Sequence, residues 1–203
     1  QGYHLKPGSP HAEQEAINDA GKSAHNSTLY INLEPCCHYG RTPPCSDLII
    51  RSKIKRVVVS SLDPNPVVNG KSIEQLKRSG IEVKIGVLKD DAIKLNQGFF
   101  NKFLLKRPSV TCKSGISLDG KISLSNGSSK WITSEESRQD VQMERSIASL
   151  IFSSSKTVIL DDPSLNVRDP LLLKKILKQP DLAIVDTRLK IPLKSKIFNN
   201  SSR

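Results

Sequence analysis

Two short stretches constrain this chain more than anything else in it: His11-Ala12-Glu13, and Pro35-Cys36-Cys37-His38-Tyr39-Gly40-Arg41-Thr42-Pro43-Pro44-Cys45. Together they offer one imidazole, two well-spaced thiols and a carboxylate that need not bind metal. Zinc held by three protein ligands keeps a fourth position open, and a water there becomes a nucleophile near neutral pH. A fold with such a site must bring a helix start, a strand end and a loop to one point. Ser9 reads as an N-cap and Pro10 as the first helical position, which places His11 in the first turn of a helix over Pro10–Gly21. Thr42-Pro43-Pro44-Cys45 repeats the device ahead of Leu48-Ile49-Ile50. The positive end of a helix lowers a thiol's pKa and favours the thiolate that zinc needs.

A lone His-x-Glu says little, but a Pro-Cys after a strand some two dozen residues downstream gives it weight. Zinc deaminases share that arrangement, with a Glu outside the coordination shell moving protons between water and the leaving ammonia. Their general pattern closes with Cys-x-x-Cys, whereas here eight residues separate Cys36 from Cys45. The stretch from Glu34 to Cys45 closely resembles the bifunctional deaminase/reductase family of riboflavin biosynthesis. The resemblance continues through Asp63-Pro64-Asn65-Pro66, Ser117-Leu118-Asp119-Gly120-Lys121 and Lys130-Trp131-Ile132-Thr133. Zinc on His11, Cys36 and Cys45, with Glu13 as the proton carrier, is therefore the expected centre. The resemblance implies substrate contacts for His4, His38 and Arg41, Arg41 standing where the family has Lys or Arg. It also implies Ser at the position of Cys37, which reads as a tolerated substitution, because a fourth protein ligand would close the site to water.

The net charge of +11 raises the question of a polyanionic partner. No run of five Lys or Arg occurs, and aromatics, only 4% of the chain, are not interleaved with the basic residues. Neither nucleic acid nor membrane is expected as a partner, and the charge suits a phosphorylated small substrate. Four cysteines, two of them adjacent, do not read as a disulfide framework. No signal peptide or membrane-length apolar run is visible, so the cytoplasm is the expected compartment.

Taken in order, Gly2–Leu5 reads as a strand end, Thr28–Leu33 as a strand delivering Cys36, and Ile54–Ser60 as a strand buried on both faces. A helix over Lys71–Ser79, a strand over Ile81–Val87 and a helix over Asp90–Phe100 follow. This alternation predicts an α/β layered sheet, and the resemblance implies a cytidine-deaminase-like three-layer domain over residues 1–107. Lys106-Arg107-Pro108 marks a seam. Beyond it, strands are expected at Ser109–Ile116, Ile122–Leu124, Ala148–Phe152, Thr157–Leu160 and Leu182–Val185, with a turn at Asn126-Gly127 and a helix over Glu135–Arg145 capped by Ser134.

Spacing alone gives this second half only as an α/β domain without a Rossmann fingerprint. The resemblance implies the first part of a dihydrofolate-reductase-like, NADPH-dependent reductase domain over 108–203. On that basis Gly115, Trp131, Thr157, Asp161 and Thr187 match positions that touch the cofactor. Ser129, Arg145, Leu165 and Arg168 match positions that hold a ribose-phosphate pyrimidine. Two Arg can grip a phosphate through forked hydrogen bonds, although Arg145 also reads as an exposed helix-end cation and Trp131 as a core plug. The family pattern starts before Gln1 and continues past Arg203, so the chain reads as part of a longer, homo-oligomeric protein. Two rival readings stand beside this one: a nucleoside or tRNA-editing deaminase, and a basic binding module with a closed zinc that uses Cys37.

Overall fold

The computed structural model describes residues 1–199. The chain forms two compact units, Gln1–Thr111 and a second that begins at Cys112. In the first unit three parallel strands, β1 (Thr28–Leu33), β2 (Arg56–Ser61) and β3 (Glu82–Ile85), pair in that order, with Leu29 opposite Val57 and Val57 opposite Val83. The run Val57-Val58-Val59 is buried on both faces, as parallel central strands require. Helices α1 (Ala12–Ala20), α2 (Cys45–Arg51) and α3 (Lys71–Arg78) cover one face. Their Ile17, Ile49, Ile73 and Leu76 close over Val57 and Val59 in one cluster. Val58 points the other way and is buried too, as is Ala92 of α4 (Lys89–Leu95), which packs against β1 and β2.

The second unit contains α6 (Glu135–Ile147), a parallel pair of β4 (Leu150–Ser154) and β5 (Asp181–Val185), and the short helices α7 (Ser155–Asp161) and α8 (Pro170–Leu173). Its core is small: Val158, Leu165 and Ile197, flanked by Ile151, Leu182, Ile184 and Ile191. Ser134 caps α6 by accepting from the Ser137 amide, as the sequence indicates. Both units are α/β.

Several local expectations are corrected. Gly2–Leu5 is not a strand. Helix α1 begins at Ala12 with His11 itself as N-cap, in place of Ser9 and Pro10, and α2 begins at Cys45 after Pro44 as N-cap, in place of Thr42 and Pro43. The helix expected over Asp90–Phe100 is two, because Asn96 leaves helical backbone geometry (φ −113°) and turns its side-chain amide onto the Ala92 carbonyl before α5 (Gln97–Leu104) begins. Ser109–Ile116 and Ile122–Leu124 are not strands, since no described segment offers them a ladder and Val110 and Ile122 stay exposed. Asn126-Gly127 does turn the chain, with Leu124 and Ser128 bonded across it. Thr157–Leu160 is helical: Ser154 Oγ accepts from the Thr157 amide and starts α7, and Val158 fills the core from there.

The contrast between the buried face and the loops sets an expectation for stability. Leu76 has no exposed surface and Leu118 is fully exposed. Leu76→Ala is expected to cost about 2–5 kcal/mol in urea unfolding, and Leu118→Ala to stay within about 0.5 kcal/mol of the unaltered chain.

Candidate zinc centre

The site forms where β1 ends and two helices begin. Cys36 follows β1 by three residues, His11 caps α1 and Cys45 opens α2. His11 Nδ1 lies 3.5 Å from Cys36 Sγ and 3.3 Å from Cys45 Sγ. The three donor atoms all lie within 4.8 Å of one another, and the trio is half-buried to buried. One neutral nitrogen and two thiols at this separation suit a tetrahedral zinc with one open position. The Cys45 amide donates to Cys36 Sγ at 3.3 Å, and Thr42 Oγ1 lies 3.3 Å from His11 Nε2.

Electrostatics within the cluster are uneven. The Cys45 thiol and amide both donate to Cys36, and together with His11 they pull the Cys36 thiol down to about 5. The same contact, with burial and the Glu13 charge, pushes the Cys45 thiol up. The pair thus keeps its one proton on Cys45, and a metal that takes both sulfurs must displace it. Glu13 lies in the first turn of α1, within electrostatic reach of the trio; burial raises its carboxyl above the usual range, aided by the nearby Cys36 charge. A desolvated carboxylate beside a ligand set is the right kind of group to take up and return a proton.

A cavity of about 290 Å³ opens beside His11 and Cys36, and His4, His38, Arg41 and Thr42 stand around it with them. His4 Nδ1 is 2.9 Å from the Pro10 carbonyl oxygen, and its ring meets the His11 ring edge-on at 5.3 Å. Cys37 is not in the cluster: its thiol points to the Val67 carbonyl, 4.0 Å away, and burial and the Glu34 charge raise it. That orientation disfavours the closed-zinc rival.

Two residues here escaped sequence reasoning. Glu34, only 3% exposed, accepts from the Asp63 and Gly70 amides at 3.2 and 2.9 Å and from Ser72 Oγ at 2.8 Å. Asp63 is buried beside it, within electrostatic reach of His38 and Cys36, and burial is the main cause of its raised carboxyl pKa. The Asp-Pro-Asn-Pro turn held the signal. In a parallel sheet the loops after β1 and β2 leave from the same end, so that turn must stand beside Cys36.

The second unit gathers its candidates in smaller groups. Ser129 Oγ donates to Asp161 at 3.0 Å, with Thr157 one turn earlier on α7. Thr157 and Thr187 both follow the carboxyl end of the β4–β5 pair, where Ser154 pairs with Val185. Gly115 approaches Thr133, close to Trp131 in the chain. Trp131 is 71% exposed with the Arg138 guanidinium 4.4 Å over its ring, so it is no core plug. Arg145 donates to the Asn166 carbonyl, beside Leu165, and Gln142 of α6 accepts from the Arg168 amide.

Comparison with known proteins follows this division. Residues 108–203 match the model of the RibD C-terminal domain, and residues 1–61 that of the cytidine and deoxycytidylate deaminase zinc-binding region. The chain belongs to the RibD family. It is 50% identical over 198 residues to the riboflavin biosynthesis protein RibD of Aquifex aeolicus, covering 98% of this chain and 54% of that relative. Against Escherichia coli RibD it is 41% identical over 199 residues, covering 94% and 54%. The structure of Acinetobacter baumannii RibD superposes with a TM-score of 0.91 at 46% identity, over 98% of this chain and 56% of that one. The Thermotoga maritima diaminohydroxyphosphoribosylaminopyrimidine deaminase/5-amino-6-(5-phosphoribosylamino)uracil reductase gives 0.88 at 40%, over 100% and 57%. The chain thus spans about half the length of the RibD proteins it matches. Its first unit has the cytidine-deaminase-like fold and its second the fold of the RibD reductase domain.

Glu34→Ala leaves the Asp63 and Gly70 amides and the Ser72 hydroxyl without their acceptor. It is expected to lower stability by about 3 kcal/mol or more in urea unfolding and to speed hydrogen exchange at the Asp63 and Gly70 amides. Glu34→Gln, which keeps one acceptor oxygen, should cost less.

Proposed function

We propose that this chain carries the two activities of riboflavin biosynthesis for which its family is named: hydrolytic deamination of 2,5-diamino-6-hydroxy-4-(5-phosphoribosylamino)pyrimidine, then NADPH-dependent reduction of the ribosyl side chain to ribityl. The carrying observation is the His11–Cys36–Cys45 trio with the desolvated Glu13 carboxyl two residues from His11 in the first turn of α1. His11, Cys36 and Cys45 would hold zinc, which supplies a water acid enough to act as a nucleophile near neutral pH. Glu13 takes a proton from the attacking water and returns it to the departing amine. Its raised carboxyl suits both halves of that cycle. His4, His38 and Arg41 bind the substrate at the cavity rim, with Arg41 suited to a phosphate or a ring carbonyl.

In the second unit, Gly115, Trp131, Thr157, Asp161 and Thr187 would hold NADPH, which supplies the hydride. Ser129, Arg145, Leu165 and Arg168 bind the ribose-phosphate pyrimidine. The hydrogen bond between Ser129 and Asp161 supports placing substrate and cofactor side by side. Among the described residues no helix is long and apolar enough to cross a membrane. The cysteines are free, which fits a reducing compartment, and the proposal extends to a cytoplasmic homo-oligomer.

The test is ammonia release from the phosphorylated diaminopyrimidine by the zinc-loaded 203-residue chain, with NADPH left out. Release is expected, and a zinc-loaded chain that releases none overturns the deaminase reading for it. Glu13→Gln should lower the rate by about 10²–10⁴-fold with zinc content unchanged. Loss of zinc in that variant would contradict the role given to Glu13.

A further inference from the structure

His11 presents its two ring nitrogens to different neighbours. Nδ1 faces both sulfurs, at 3.5 and 3.3 Å, while Nε2 faces Thr42 Oγ1 at 3.3 Å. An imidazole that gives the Nδ1 lone pair to a metal carries its proton on Nε2, and that N–H needs an acceptor to fix the ring plane. Among the described contacts of Nε2, Thr42 Oγ1 supplies it.

Thr42 is itself held in place. It lies in the loop between the two cysteines, its carbonyl accepts from the Gly40 amide at 3.2 Å, and Pro43-Pro44 lead rigidly from it into α2. The loop that delivers Cys45 thus also orients the histidine. We propose that Thr42 is a positioning residue for the metal centre, accepting the His11 Nε2–H so that Nδ1 stays aimed between Cys36 and Cys45. The acceptor is neutral, so it orients the ring without adding negative charge beside the metal.

This rests on the zinc reading of the trio, and the experiment separates the two. The full 203-residue chain, Thr42→Val and Thr42→Ser are titrated with zinc against a chelator, and the His11 Nε2–H is followed by long-range ¹⁵N–¹H NMR in the zinc-loaded proteins. Valine keeps the shape of threonine and removes the acceptor. Thr42→Val is expected to weaken zinc binding by about 10–100-fold and to speed exchange of the Nε2 proton. Thr42→Ser should restore both to within a few-fold of the unaltered chain. Unchanged zinc affinity and unchanged Nε2–H exchange in Thr42→Val overturn the inference while leaving the zinc reading intact. Equal weakening in Thr42→Ser assigns Thr42 a packing role and overturns it as well. An unaltered chain that binds no zinc overturns the metal reading and this inference with it.

Discussion

Burying a carboxylate in the first unit would cost several kcal/mol if its lone pairs were left empty. Glu34 is buried at the end of β1 and has them filled by three donors, all from the segment between β2 and the start of α3. Its own amide bonds to the Ser61 carbonyl, the last rung of the β1–β2 ladder. One residue therefore ends the sheet and anchors the loop that flanks the site. The next two residues are Pro35, fully buried, and Cys36. The position of the first thiol is thus inherited from the parallel pairing of β1 and β2, with little freedom for the chain to move it.

The same geometry explains how one small region can favour opposite protonation states. Cys36 receives hydrogen bonds and is held toward the thiolate; Glu13, in the first turn of α1, is desolvated and held toward the acid. The distinction is one of partners more than of burial. A sulfur with an amide and a thiol donating to it is stabilised as an anion, while a carboxylate whose strongest influence is lost water is not. Binding and proton transfer need these different characters, and they arise here within one turn of helix and one strand end.

The site trio was legible because metal chemistry needs particular side chains at nearly fixed separations, and β1 because its alternating β-branched and aromatic residues coincide with the observed Thr28–Leu33 bounds. Features decided by tertiary context were not. Thr157–Leu160 has the composition of a strand, yet a serine cap and a place in the core make it helical. Ser109–Ile116 has the same composition and no ladder partner among the described residues. The helix starts were displaced because the prolines at 10 and 44 stand just before the helices, leaving His11 and Cys45 as N-cap and first residue. Glu34 and Thr42 stand within the quoted motifs, but their residue types alone do not announce these contacts. Their roles come from what the folded chain puts opposite them.

The second unit depends more on polar contacts than the first. Its apolar cluster is small, and the residues around Val167 are secured by Gln179, whose amide accepts from the Val167 N–H at 2.8 Å and donates to the Val167 carbonyl at 2.9 Å. A side chain thereby takes the part of a neighbouring strand, and the buried backbone is satisfied without one. Leu165, held at a positive φ of 48°, and Arg168 lie on either side of that clamp. A non-glycine residue in that region persists only where its surroundings over-determine it. Here the surroundings include the Gln179 clamp, the Arg145 contact at Asn166 and the Gln142 contact at the Arg168 amide. Two separate segments, α6 and the stretch ahead of β5, thus converge on Leu165–Arg168, to which the proposed substrate contacts Leu165 and Arg168 belong. Order there comes from directional bonds beside the buried Leu165 and Val167, while the Arg168 side chain stays exposed and able to meet a ligand from solvent.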